Sequence, residues 1–205
     1  GFADYMTRFG DNAYVKGVRQ VLHVPSAARG VCVGPRFIEG MHLLGSMGKC
    51  FDLCMRPSEL GDAVALVEQC PDTLFIVDHC GNADPQVVSG DVEPDLENPF
   101  SHDRQQWMDD MQALGAHANV VCKLSGIVAR APQGWTVETL APTVEHCIAS
   151  FGADGVVFGG DWPVCTLGAL LEEWVAALRQ IVKGYSEEDQ RRILHDNAVR
   201  LYGLA

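Results

Sequence analysis

The stretch Phe158-Gly-Gly-Asp-Trp-Pro-Val164 follows a short apolar run, Gly155-Val-Val157, and its reading decides the fold. An acidic residue stands where a buried strand runs out, flanked by glycines that let backbone or ligand approach closely. Pro163 forbids simple continuation of a strand ladder and pushes Trp162 towards an extended geometry. A carboxylate at the mouth of a buried parallel strand is where an α/β enzyme would keep a general base. The competing reading is a loop aspartate that caps a helix beginning near Leu167.

Recurrence along the chain separates the two. Val18-Arg-Gln-Val-Leu22, Lys49-Cys-Phe-Asp-Leu-Cys54, Leu74-Phe-Ile-Val-Asp-His79 and Val120-Val-Cys-Lys-Leu-Ser125 are short apolar runs with polar residues inside them or at their ends. Between them lie segments of helical period: Pro35 to Met47, Ser58 to Gln69, Asp103 to Leu114 and Pro142 to Phe151. Short strands alternating with helices of ten or more residues predict βα units around a parallel sheet buried on both faces. After Asp161 come helices over Leu167 to Val182 and Ser186 to Tyr202, the second opened by a variant capping box of Ser186 and Asp189. The pattern is that of a (β/α) barrel or a doubly wound sheet.

Five blocks in order resemble the amidohydrolase superfamily, in its amidohydrolase-related, lactonase-like branch of TIM-barrel hydrolases. They are Gly17-Val-Arg-Gln-Val-Leu-His23, Phe51-Asp-Leu-Cys-Met-Arg-Pro57, Val77-Asp-His-Cys-Gly81, Lys123-Leu-Ser-Gly126 and Phe158-Gly-Gly-Asp-Trp-Pro163. Asp196-Asn-Ala-Val-Arg-Leu-Tyr202 is similar to that family's closing helix. The resemblance implies an α/β fold, a (β/α)8 TIM barrel, and maps these blocks onto strands four to eight. A complete barrel takes about 250 residues. This chain of 205 residues is therefore expected to be truncated at the N-terminus, with about five βα units present, and the absence of a Met at Gly1 favours a fragment. The family's His-x-His pair on strand one has no counterpart here. An arc cut from a barrel leaves two unpaired edges, so the chain alone is expected to aggregate or to associate along an edge, and to lack activity.

Composition bounds the partners. The chain reads as one domain, 1–205, that is 47% hydrophobic and 20% charged. Its net charge of −12 argues against nucleic acid and against an anionic membrane surface. No run of eighteen apolar residues predicts a membrane span, and no basic-then-apolar leader opens the sequence. The eight cysteines form no C-x-x-C pair, and Cys50, Cys54, Cys80, Cys122 and Cys147 sit in apolar runs, which predicts reduced core thiols in a cytoplasmic protein. The expected partner is a small-molecule substrate, with a homo-oligomer open.

The polar residues supply the candidate site. Asp161 is the expected catalytic base, since the resemblance gives an Asp at the end of strand eight the proton of the attacking water, with Trp162 and Pro163 as a shielding wall. The family commonly has Ser where Gly160 stands, which leaves the orientation of Asp161 in question. His79 ends the third apolar run and would point into a barrel's mouth, there to bind a metal, polarise a carbonyl or shuttle a proton. Arg19 and Lys123 lie inside strands, where an unpaired charge is expensive. Arg19 suits a bidentate grip on a carboxylate or lactone, Lys123 an oxyanion, and Asp52 and Trp162 complete the expected substrate contacts. The alternative is a structural ion pair, Arg19 with Asp52. Arg56 follows the end of the second strand. His79 and Asp161 are also the expected ligands of a divalent metal, zinc by preference, although some relatives work without one.

The other histidines are weaker candidates. His23 follows the first strand, His42, His117 and His146 fall in helical segments, and His102 directly follows the insertion 82–101, a structureless active-site loop in this reading. The family often shows Gly-Lys-Pro after its histidine, whereas Gly81-Asn82-Ala83 stands here. The expected activity is hydrolysis of a small cyclic ester, a sugar lactone or similar carboxyl derivative. A decarboxylase of the same superfamily and a non-catalytic fragment are the alternatives.

Overall fold

The computed structural model describes residues 1–95, 97–98 and 101–204. Five strands carry the sheet: β1 (Gly17–Val21), β2 (Cys50–Cys54), β3 (Phe75–Val77), β4 (Val120–Leu124) and β5 (Val156–Phe158). All neighbours pair in parallel, in the order β1-β2-β3-β4-β5. A doubly wound sheet reverses its strand order at a switch point. This one never does, so of the two architectures open to the sequence the arrangement is an arc of a barrel.

The connections are α1 (Phe2–Thr7), α2 (Pro35–Ser46), α3 (Leu60–Gln69), a single left-handed turn α4 (His79–Asn82), α5 (Pro85–Ser89), α6 (Arg104–Gly115), α7 (Val137–Phe151), α8 (Leu171–Ile181), α9 (Glu187–Arg191) and α10 (Asn197–Tyr202). The long helices bury one stripe each: Leu60, Ala63, Leu66 and Val67 in α3; Trp107, Met111 and Leu114 in α6; Leu140, Val144, Cys147 and Ile148 in α7; Trp174, Ala177, Leu178 and Ile181 in α8. Those stripes and the sheet form one core, in which each large apolar side chain contributes about 1.5–3 kcal/mol on burial. Phe75, Ile76 and Val77 of β3 are fully buried, as a central parallel strand requires. The edge strand β1 is half-buried to exposed along its length.

Boundaries differ from the sequence pattern at four places, each with a local cause. The helix expected from Pro142 starts at Val137, because the Thr136 N–H is taken by Thr139 Oγ1 at 3.3 Å and Pro142 is carried inside the helix. The helix expected from Leu167 starts at Leu171, where Glu173 reaches back to the Leu170 N–H at 2.6 Å; Val164–Leu167 is a separate 3-10 turn. Over Ser186 to Tyr202 the chain is helical but passes through a π segment, Arg192–Asp196. Ser186 Oγ accepts from the Asp189 N–H at 3.1 Å, but the Asp189 carboxylate returns to the Ser186 hydroxyl at 2.8 Å, so the expected box closes through side chains. Asn197 beyond it donates to the carbonyls of Ala153 and Val156 at 2.7 and 2.8 Å, tying the C-terminal helix to the start of β5.

The insertion 82–101 is not structureless. Asp84 caps α5 by accepting from the Gln86 N–H at 2.9 Å, and α5 packs on α7 through buried Val87 and Val88. Leu96, Pro99 and Phe100 of that stretch lie outside the described residues. His102 is buried, accepts from the Asp84 N–H on Nε2 at 2.9 Å and lies against Trp107, which makes it part of the wall.

Candidate active site

β3 delivers His79 through a strained turn. His79, Cys80, Gly81 and Asn82 all have positive φ, 54°, 52°, 66° and 58°. For non-glycine residues such a conformation costs about 1–3 kcal/mol each and persists only where the surroundings over-determine it. They do so here. Trp107 Nε1 donates to the Cys80 carbonyl at 3.1 Å, Asn82 Nδ2 to the Met55 carbonyl at 2.7 Å, and Arg130 Nη2 to Asn82 Oδ1 at 3.0 Å. A Cβ on Gly81 would lie 2.8 Å from Leu60 Cδ1 and 2.9 Å from Met111 Sδ, so a larger residue there would have to displace those side-chain ends.

The imidazole is fixed on two sides. Its Nδ1 is 2.8 Å from Ser125 Oγ, and a Cβ on Gly126 would stand 2.7 Å from its Cγ and Nδ1. Its Nε2 is thereby turned towards Asp161 Oδ1, 3.8 Å away. Burial pushes the His79 pKa down, the nearby Asp161 carboxylate opposes this, and Arg19 and Lys123 add to the lowering, so the ring is neutral near pH 7.

Asp161 stands three residues beyond β5, also at positive φ, 51°. The Gly159 N–H extends the ladder by one bond to the Leu124 carbonyl at 3.0 Å, and Trp174 Nε1 holds the Gly159 carbonyl at 3.0 Å. A Cβ at Gly159 would meet Ser125 Cβ at 3.0 Å, which explains a glycine before the acid. The helix-capping reading fails, because no side chain caps the 3-10 turn after Pro163 and α8 takes its cap from Glu173. The carboxylate is 16% exposed. Trp162 is 70% exposed, so it does not form the wall expected of it; its side chain lies in solvent beside the site.

Behind this pair lies a charge lattice. Strand register puts Arg19 directly beside Asp52. Asp52 Oδ2 accepts from Arg19 Nη2 at 2.9 Å and from Lys123 Nζ at 3.2 Å, while Asp78 Oδ1 accepts from Lys123 Nζ at 2.8 Å. Arg19 Nε is also 2.9 Å from Asp78 Oδ2, an ion-pair distance without hydrogen-bond alignment. Asp78 is fully buried; desolvation and the neighbouring Asp52 raise its pKa against the pull of Lys123 and Arg19. Lys123 is held protonated: burial works against its charge, and Asp78 and Asp52 more than offset that. The structural ion pair of Arg19 with Asp52 is therefore present, and Arg19 and Lys123 spend charge on carboxylates that a free substrate grip would need.

Arg56 is buried; its Nη1 donates to both Glu59 carboxylate oxygens at 3.0 Å and its Nη2 to the carbonyls of Val24 and Ala27. His42 is exposed, His117 lies in the turn after α6, and His146 accompanies the Met108 carbonyl and the Trp107 ring. His23 is half-buried, and burial with Arg130 nearby lowers its pKa. Sequence reading did not single out Asp78, Ser125 or Gly126. The available signal was position: each directly follows, or is one residue past, a strand that carries a candidate.

As metal ligands, His79 and Asp161 are suitable in kind, a neutral imidazole oriented through its other nitrogen and a carboxylate opposite it. A catalytic zinc takes three protein ligands and an open position. Among the described residues no third His, Cys, Asp or Glu atom joins this pair within 4.8 Å. Cys54, Asp78 and His79 do form such a group, but Asp78 is committed to Lys123 and Arg19, and burial raises the Cys54 thiol to about 11. The residues present thus fit part of a metal site.

The amidohydrolase family model matches residues 1–204. L-fucono-1,5-lactonase of Burkholderia ambifaria is 30% identical over 158 residues, covering 75% of this chain and 50% of its own length. L-fucono-1,5-lactonase of Burkholderia multivorans is 26% identical over 199 residues, covering 93% and 63%. The chain thus spans about half to three-fifths of the length of these relatives. A crystal structure of a Burkholderia multivorans amidohydrolase with bound Zn superposes over 100% of this chain and 72% of its own, at a TM-score of 0.83 and 21% identity, which shows a shared fold. 2,6-Dihydroxybenzoate decarboxylase from Rhizobium superposes over 99% and 67%, at a TM-score of 0.58 and 16% identity.

Proposed function

This chain belongs to the amidohydrolase family, and from that premise we propose that it carries part of the active site of a hydrolase that opens a small cyclic ester, a sugar lactone in our reading. The observation that carries this is the His79–Asp161 pair, 3.8 Å apart on two strand ends of one sheet. Asp161, largely shielded yet not sealed, takes a proton from water as the water oxygen attacks the lactone carbonyl. The ring C–O bond then breaks, and Asp161 returns the proton to the leaving alkoxide. Where no ion occupies that nitrogen, His79, neutral and aimed by Ser125, presents its Nε2–H to the reacting carbonyl. Lys123 and the lattice of Asp52 and Asp78 set the field behind the site, and Arg19, already paired with both carboxylates but 39% exposed, is left with a partly neutralised charge towards a substrate oxygen.

A divalent ion, zinc in our reading, would be held by His79 and Asp161 with further ligands, and would lower the pKa of a bound water. The lactonase names among the relatives favour ester opening, and the decarboxylase among the structural neighbours keeps carbon–carbon cleavage as the second reading. Incubation of the purified full-length protein with L-fucono-1,5-lactone and with 2,6-dihydroxybenzoate separates them. Acid release without gas supports the proposal; carbon dioxide from the benzoate with no lactone opening overturns it.

A further inference from the structure

A second group of ligands lies behind the site. Cys80 comes from the left-handed turn α4, Cys122 from the middle of β4 and Cys147 from the third turn of α7. All three are fully buried, and their sulfurs lie within 4.8 Å of one another. Cys122 alternates with Lys123 along β4, so its thiol faces the helix layer while Lys123 faces the charge lattice. A buried thiol commonly packs as a small apolar group, and the other buried cysteines join no such group of sulfurs. Convergence of three from separate elements differs, since three sulfurs at this spacing can close on one atom. Cys80 is also held at φ 52°, with Trp107 bonded to its carbonyl, so the direction of its Cα–Cβ bond is set by the backbone.

The geometry points to a binding site for trivalent arsenic, taken up as arsenous acid by Cys80, Cys122 and Cys147. Soft thiolate ligands select thiophilic ions, but the choice among these is made by charge. Three thiolates on a monovalent or divalent cation leave a net negative charge in an apolar core, which is expensive without a partner. The nearest cation, the Lys123 ammonium, is engaged by Asp78 and Asp52 on the other face of β4. With arsenous acid three As–O bonds break and three As–S bonds form. Each thiol proton leaves with a hydroxide as water, arsenic stays trivalent, and the product is neutral. Uptake requires the turn 78–82 to open, so binding is slow relative to an exposed dithiol.

The test uses the folded 205-residue protein and arsenite. Intact-mass measurement after gel filtration should show one arsenic gained and three hydrogens lost, and X-ray absorption should show three sulfur neighbours and no oxygen. Cys147→Ala should weaken retention at least about tenfold, as expected when one of three covalent ligands is lost, while Cys165→Ala, a buried thiol outside the group, should leave it unchanged. Circular dichroism checks that both variants fold. The wild-type absorption spectrum decides independently if Cys147→Ala does not. Oxygen neighbours in that spectrum, no retained arsenic, or equal retention by Cys147→Ala and wild type would each overturn the assignment.

Discussion

His79 Nε2 and Asp161 Oδ1 face each other across 3.8 Å, each from a residue held at positive φ just past the end of its strand. Left-handed backbone in a non-glycine residue is retained only where something else in the structure enforces it. Two such residues in one pair mark the place where this fold spends stability on aim.

The general base comes first. Asp161→Asn keeps the size of the side chain but removes its capacity to take a proton. We expect turnover to fall by about 10²–10⁴ with the thermal unfolding midpoint little changed. Steady-state rates of the full-length protein on the lactone check this, and a rate within threefold of the parent would remove Asp161 from the base role.

Gly126→Ala tests the aim of the imidazole. A methyl group there would sit 2.7 Å from the His79 ring at a φ of 70°. We expect a loss of about 1–3 kcal/mol in stability together with displacement of the ring. Urea unfolding and the chemical shifts of His79 report the two effects; an unmoved ring would show that Gly126 does not position it.

Lys123→Met tests the charge lattice. Removing one partner of a buried pair costs about 3–5 kcal/mol, and here it strips Asp78 of its hydrogen-bonding cation. Asp78 already has a raised pKa. A group of that kind binds its proton more tightly folded than unfolded, so its contribution is fully present below the unfolded pKa and is lost as pH rises through the folded one. The penalty of Lys123→Met should therefore be greater at pH 8 than at pH 5. Urea titrations at the two values decide, and equal penalties would count against a charge origin.

Histidine titration has the opposite course. His79, His102 and His23 all have pKa values lowered from the ordinary 6.5, chiefly by burial. Between the folded values and 6.5 the unfolded chain binds more protons, so stability should fall as pH drops from 6.5 through the folded values and level off below them. His102→Asn should flatten part of this slope in an acid series of melting curves. An unaltered slope would show that His102 does not contribute to it.

The sheet edges set the behaviour in solution. Among the described residues β1 pairs with β2 alone and β5 with β4 alone, and β1 is largely exposed. Unpaired edges are templates for association. Sedimentation of the 205-residue chain should show self-association that grows with concentration, and a stable monomer throughout would mean that the edges are protected.

Much of this was legible in the sequence because it is local. The alternation of apolar runs with helical periods places all five strands to within about two residues, since burial on both faces of a parallel strand needs nothing beyond adjacent apolar side chains. Asp161 and His79 were readable as candidates because a polar residue at the end of such a run is conspicuous. The Gly159 position was readable as a close approach, though not what approaches it.

Tertiary structure decided what depends on neighbours distant in sequence. Strand order, and with it the barrel arc over the doubly wound sheet, is a matter of pairing between segments that local pattern does not encode. Whether Arg19 and Lys123 meet substrate or carboxylate turned on Asp52 and on Asp78, just past the end of β3, whose carboxylates both cations reach. The aim of His79 turned on Ser125 and Gly126 from the next strand, and the exposure of Trp162 on what packs, and does not pack, beside the end of β5. A sequence specifies which groups are available along one strand; charges and hydrogen bonds act over a few ångströms in space, so their partners are chosen only when the strands come together.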